Sequence, residues 1–233
     1  MKVDIGVIGA LSEEVSGLIS ELKEHETEIF SGIEFHTGKL YGKRVAIAKS
    51  GVGKVFAAIA AEAMILKYSP SLIVNSGVAG AIFAELVPGD IVIADKLCQH
   101  DMDTTPLGDA LGLISGINKI YFEADGNAVS ILKAAAGDIN CKALVGTIAT
   151  GDKFIASKED KKAIASEFSA YACEMEGGAV AHVAYVNRTP FAVIRAISDS
   201  ADGNAEMNYT EFLKIAAERS SALTHKLIEE YKA

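Results

Sequence analysis

Cys173-Glu174-Met175-Glu176-Gly177-Gly178 is the stretch whose reading decides the fold, together with Arg195-Ala196-Ile197-Ser198-Asp199, to which it leads. Residues 179–186 are apolar apart from His182, which predicts a buried helix leaving the glycine pair. Residues 191–197 form an apolar run broken only by Arg195, the pattern of a strand covered on both faces of its sheet. Glu174 and Glu176 then sit where a strand gives way to a helix, and Arg195 and Asp199 at the end of the next strand. In open α/β sheets that edge is where ligands bind. A single glutamate at a helix start has a simpler use, as a charge that complements the macrodipole. A pair of them beside a strand-end Arg and Asp asks for more, and points to a functional site.

Composition bounds the rest. The chain has 233 residues, 50% of them hydrophobic, enough for one large α/β domain with a substantial core. Its net charge of −9 and its lack of a Lys/Arg cluster argue against a nucleic-acid partner. Cys98, Cys141 and Cys173 are odd in number and widely spaced, which fits no disulfide framework or zinc site and suggests a reducing compartment. No apolar run approaches the roughly 20 residues of a membrane span, and the start shows no signal-peptide pattern. The expectation is a soluble, cytoplasmic protein that meets no membrane.

Along the chain, residues 3–8 read as a first strand turned by Gly9-Ala10, with Ser12 as the expected N-cap of a helix carrying Glu13 and Glu14 in its first turn. Residues 27–30, 34–40 and 44–49 read as antiparallel strands. Ser50-Gly51-Val52-Gly53-Lys54 resembles a phosphate loop but lacks its spacing, and Val55 stands where the magnesium-binding hydroxyl would be. It is read as a tight turn close to a ligand, without ATP binding. Residues 72–74 are expected as a strand and 75–81 as a small-residue loop that lets main-chain groups touch a ligand. His100, Asp101 and Asp103 invite a metal reading, but the ligand set is poor and no metal is assigned. The apolar stretch 107–120 suggests an exposed interface loop. Helices are expected at 124–136, 158–168 and 210–231, strands at 90–97, 142–148 and 170–173, and polar loops at 150–155 and 200–208. No linker or repeat divides the chain.

Four strand-end segments converge: G-A-L-S-E-E-V (9–15), N-S-G-V-A-G (75–80), T-G-D-K-F-I (150–155), and E-M-E-G-G-A (174–179) with R-A-I-S-D (195–199). Together they resemble the 5′-methylthioadenosine/S-adenosylhomocysteine nucleosidases of the nucleoside phosphorylase superfamily, over essentially the whole chain. The resemblance implies a three-layer α/β/α fold with a central mixed, partly barrel-like sheet, a homodimer, thio-adenosine nucleosides as substrates in methionine salvage, and no cofactor. It implies Glu14 as the base that activates water, Asp199 as the acid that protonates purine N7, and Glu176 as the carboxylate that holds the ribose hydroxyls. Met175 would lie beside the sugar and Arg195 on the water-side network. Ala79, Gly80 and Ile155 would give backbone or wall contacts to the base, with Phe154 stacked on it, and Val52, Val78 and Ser198 would also bind substrate. Leu11 and Tyr209 would lie on the sulfur side, with the loop around Leu107 reaching the neighbouring active site. Leu11 replaces a common Met and Tyr209 a common Phe, and Val78 lacks the hydroxyl that some relatives have.

Such chemistry suits these groups. Cleaving an N-ribosidic bond leaves an oxocarbenium-like sugar and a purine anion, so an acid must meet the purine while a base meets water. Asp199 is therefore expected to be shifted upward by desolvation against an apolar wall. Two rivals remain. A phosphorylase needs a cationic clamp for phosphate, yet the chain has four arginines in all and Asn75 stands where purine phosphorylases tend to have one. Lys43-Arg44 keeps that reading open. A non-catalytic nucleoside-binding module has no need of all three carboxylates.

Overall fold

A computed structural model describes residues 2–138, 141–199 and 205–232, with side chains in the last segment from residue 212 onward. The strands join one ten-stranded sheet. Strands β1 (Ile5–Gly9), β4 (Lys43–Lys49), β3 (Ile33–Leu40) and β2 (Lys23–Phe30) form an open wing, β1 and β4 parallel and the rest antiparallel. Strands β5 (Leu72–Ala81), β9 (Ala170–Glu174), β8 (Ala143–Thr150), β6 (Ile91–Gln99) and β10 (Phe191–Asp199) close on themselves, because β10 pairs with both β6 and β5. The two-residue β7 (Phe122–Glu123) hangs on β6. The expected mixed, partly barrel-like sheet is therefore a five-stranded ring with a four-stranded wing.

The apolar runs read in the sequence are strands because both faces are covered. Ala57, Ala61 and Met64 of α2 (Lys54–Tyr68) and Val180 and Ala184 of α5 (Gly177–Val186) pack in one cluster on one face. On the other lie Val15 and Leu18 of α1 (Ser12–Ser20), Leu132 of α3 (Gly126–Asp138), and Leu223 and Leu227 of α6 (Ala205–Glu230). Helix α4 (Lys158–Phe168) covers the ring beside β9 with Ile164 and Phe168.

Three expectations are corrected. Leu11, not Ser12, is the N-cap of α1; Ser12 is already helical, and the main-chain N–H of Leu11 is taken by the Glu14 side chain. Residues 75–81 are not a loop but the second half of β5, held in parallel register with β10 as far as Gly80. Glycine and alanine fooled the propensity reading because they are small where other side chains must come close. The last helix starts at Ala205, five residues before the expected 210, which shortens the polar loop; residues 200–204 lie outside the described residues.

The register of β5 makes the site. On one edge it pairs with β10 almost throughout. On the other, β1 accompanies it only to Asn75, and β9 joins only at Gly80. Residues 76–79 have no strand partner on that edge among the described residues, and the opening between β1 and β9 is the mouth of the cavity.

Candidate active site

A cavity of about 200 Å³ lies at this opening, walled by Ala10 and Leu11 after β1, Val78 to Gly80 of β5, Cys173 to Glu176 after β9, and Ser198 and Asp199 of β10. Val52 and Phe154 stand at its rim, 48% and 45% exposed. A smaller adjoining hollow adds Lys153 and Ile155. Nine of the residues proposed from sequence as substrate contacts thus meet here: Leu11, Val52, Val78, Ala79, Gly80, Phe154, Met175, Glu176 and Ser198. Ile155 joins through the adjoining hollow. Leu107 does not; it sits on a short 3-10 turn, 83% exposed. The side chain of Tyr209 lies outside the described residues.

Glu14 is buried and holds three main-chain N–H groups. Its Oε2 accepts from the N–H groups of Ala10 at 2.6 Å and Leu11 at 3.0 Å, and its Oε1 from Val78 N–H at 3.1 Å, on the edge of β5 that lacks a strand. The carboxylate thus closes the N-terminus of its own helix and the gap in the sheet at once. Gly77 is glycine for this reason: a Cβ there would fall 2.5 Å from Glu14 Oε1. Burial raises Glu14 above the ordinary carboxylate range, while Arg195 and the three N–H groups pull the other way.

Glu176 follows β9 and precedes α5. Its Oε1 accepts from Gly53 N–H at 2.9 Å. Gly53, at φ 101°, is left-handed, a conformation that points this N–H inward and that glycine adopts without strain. The Ser50–Lys54 turn thus supports the Glu176 carboxylate through its main chain. Burial, and then the Glu174 carboxylate, raise Glu176 to about 7.

Glu174 is the residue whose weight the sequence understated. Its Oε2 takes N–H groups from Glu176 at 3.0 Å and Gly177 at 2.6 Å, at the positive end of α5, and bonds Arg195; its Oε1 accepts from the Thr150 hydroxyl. Arg195 is 1% exposed and gives its remaining terminal contacts to Asn75 and the Ile194 carbonyl. It does not line the cavity, and Glu176 Oε2 lies 3.9 Å from it. Burial works against the guanidinium's charge, but Glu174, Glu176 and Glu14 outweigh it and hold Arg195 above its ordinary value. Its Nε–H is buried without an acceptor among the described residues, the kind of donor that takes a water. The sequence expected Arg195 on the water side; the structure makes it the counter-ion of a glutamate cluster.

Asp199 ends β10 opposite Gly80, after a register shift. The Ser198 hydroxyl lies 3.2 Å from its Oδ1, and the ammonium of Lys161, from α4, 2.9 Å from its Oδ2. The apolar wall expected around this carboxyl thus includes a buried cation, which sequence reading missed. Lys161 looked like one more charge on an amphipathic helix.

Other groups are tied elsewhere. Asn75 donates to the Ile8 carbonyl at 2.9 Å and accepts from Arg195. Lys43 donates to the carbonyls of Ile228, Glu229 and Tyr231 at the end of α6, within 2.5–2.9 Å. Asp101 accepts from Lys54 Nζ at 2.6 Å and from Asp152 N–H at 2.9 Å. Among the described residues no group of three or more His, Cys, Asp or Glu side chains is placed to hold a metal.

Comparison with known proteins agrees with this geometry. The sequence model of the Phosphorylase superfamily matches residues 4–229. A 5′-methylthioadenosine/S-adenosylhomocysteine nucleosidase of Shewanella loihica is 37% identical over 97% of this chain and 98% of its own. The crystal structure of the Neisseria meningitidis nucleosidase of that name, bound to methylthio-immucillin-A, superposes with a TM-score of 0.94 at 34% identity, covering 98% of this chain and 99% of that one. The futalosine hydrolase of Helicobacter pylori superposes with a TM-score of 0.93 at 33% identity, covering 98% of each chain. This chain belongs to the phosphorylase superfamily and, within it, to the 5′-methylthioadenosine/S-adenosylhomocysteine nucleosidase family.

Proposed function

We propose that the chain is a single-domain hydrolase that cleaves the N-ribosidic bond of 5′-methylthioadenosine and S-adenosylhomocysteine, releasing adenine and the 5′-thio-ribose. The observation that carries this reading is the charge balance of the cavity. Glu14, Glu174 and Glu176 surround one arginine whose terminal nitrogens are already committed to Glu174, Asn75 and a main-chain carbonyl. Negative charge favours an oxocarbenium-like sugar and repels a phosphate dianion. Lys43, which with Arg44 kept phosphorolysis open, is occupied in structural bonds, and Asn75, in place of a phosphorylase arginine, is too. In this reading Glu14 takes the proton of the attacking water, helped by a burial that makes it the stronger base, and Glu176 anchors the ribose. Asp199 serves purine N7, and Phe154 covers the base.

The active form is a homodimer in a reducing cytoplasm. The support is an exposed apolar belt on α2 and α5, with Val55 70%, Phe56 53%, Leu66 67% and Val186 59% exposed, which continues to Val52 at the cavity rim. Leu107, on its own short 3-10 turn, is a further exposed apolar side chain, 83% exposed. All three thiols are free, and among the described residues no helix is long and apolar enough to cross a membrane.

The test is chromatography of products from methylthioadenosine, S-adenosylhomocysteine and futalosine, with and without phosphate. Adenine with free thio-ribose, at a rate indifferent to phosphate, is expected; a ribose 1-phosphate product refutes hydrolysis. Leu107→Asp should shift sedimentation toward monomer and raise KM together.

A further inference from the structure

Helix α4 buries Lys161, Ile164 and Phe168, a stripe with the spacing of a core-facing helix whose first position holds a lysine. Its ammonium and the Asp199 carboxyl are 2.9 Å apart, with side chains 4% and 2% exposed. Burying such a pair costs several kcal/mol in desolvation, and a well-packed apolar pair often stabilises as well or better. A charge kept at that cost, against the local pattern, on the one carboxyl assigned to the purine, marks function rather than folding.

We infer that Lys161 is a positioning residue for the general acid, an inference that rests on the reading of Asp199 given above. The ammonium holds Oδ2, Ser198 Oγ lies 3.2 Å from Oδ1, and Gly80 backs the group so closely that a Cβ there would stand 3.1 Å from both oxygens. The carboxyl plane is fixed from three sides. Cys173, beside the pair, has its thiol pushed up to about 12 by burial, so it stays neutral and does not compete for the ammonium. Glu174, the other carboxylate acting on that thiol, is committed to Arg195.

When a purine binds, its N7 lone pair meets a carboxylate, and two acceptors require a proton between them, taken up from solution. As the ribosidic bond breaks, that proton passes to N7 and Asp199 is left as an anion in a dry site. Lys161 stabilises that anion where it forms, which makes Asp199 the stronger acid at the moment of transfer.

The experiment compares Lys161→Met and Lys161→Arg, each with Asp199 intact and as Asp199→Asn, on two substrates. One is methylthioadenosine; the other is a p-nitrophenyl 5-methylthioriboside, whose leaving group needs no acid. Lys161→Met should lower kcat on methylthioadenosine about 10–100-fold, a share of the 10²–10⁴ of general acid catalysis, with KM changed less than about threefold. Hydrolysis of the nitrophenyl riboside should be untouched, Lys161→Arg should recover most of the loss, and in the Asp199→Asn background Lys161→Met should cost nothing further. Equal losses on both substrates, or additive losses with Asp199→Asn, overturn the inference. If Lys161→Met does not fold, Lys161→Gln is read by the same criteria. Full activity of Asp199→Asn removes the acid assignment and this one with it. An inactive Asp199→Asn beside a fully active Lys161→Met overturns this one alone.

Discussion

Gly77→Ala tests the proposed role of Glu14 as the base without replacing it. The new Cβ would stand 2.5 Å from Glu14 Oε1, whereas a carbon and an oxygen pack no closer than about 3.3 Å. The carboxylate must therefore retreat by about 0.8 Å, out of line with at least one of its N–H donors. Losing one hydrogen bond to a charged group costs about 1.5–3 kcal/mol, and alanine in place of glycine within a strand returns about 0.5–1 kcal/mol. The net is a loss of about 1–2 kcal/mol, a fall in melting temperature of a few degrees for a chain of this size. The effect on turnover is far larger, because a displacement near 1 Å of a reacting group costs about 10²-fold. Adenine release and a thermal melt, run beside Gly116→Ala, whose Cβ meets nothing within 4 Å, separate the two. A folded Gly77→Ala with kcat within about threefold of wild type would show that the placement of Glu14 does not set the rate.

Arg195→Met leaves Glu174 buried without its cation and should cost about 3–5 kcal/mol; denaturant unfolding that moves by less than about 1 kcal/mol contradicts the counter-ion role. Glu176, raised to about 7 from 4.5, holds a proton in the folded state that the unfolded chain has released. Its contribution to stability is present in full below about pH 4.5 and is lost as pH rises toward 7, by at most on the order of 3 kcal/mol. The melting difference between wild type and Glu176→Gln should therefore change sharply between pH 5 and 8, and a flat difference refutes the shift. Phe154→Ala removes the ring at the cavity rim and about 1–3 kcal/mol of base stacking; KM should rise about 10–100-fold with kcat nearly unchanged, and the reverse split would place Phe154 in the chemical step.

The strand-to-helix junctions were legible because their signals are local. Apolar runs, a glycine after a strand and a carboxylate opening a helix placed Glu14, Glu176 and Asp199 on one edge, and the structure brings all three to one cavity. What escaped depends on distant partners. Residues 75–81 read as a loop because small residues carry no strand propensity, yet pairing with β10 overrides that. Lys161 looked ordinary, and Glu174 was singled out without its counter-ion, because nothing nearby in sequence announces a partner 38 or 21 residues away. The closure of five strands into a ring is likewise a property of β10 meeting β5 and β6, and no window of sequence contains it.

That ring has a consequence for how the chain is made. Strand β10 fills the slot between β5 and β6, which leave the ribosome about a hundred residues before it. At ordinary synthesis rates, two apolar strands then wait roughly 5–20 s with a bare edge each. Neither can pair with the other across the gap meant for β10, and such edges are templates for association. Glu14 is made long before Asp199, so the cavity that holds both is incomplete until the slot is filled. A ribosome stalled before residue 191 would therefore release an inactive polypeptide with two open edges, a substrate for chaperones and proteases.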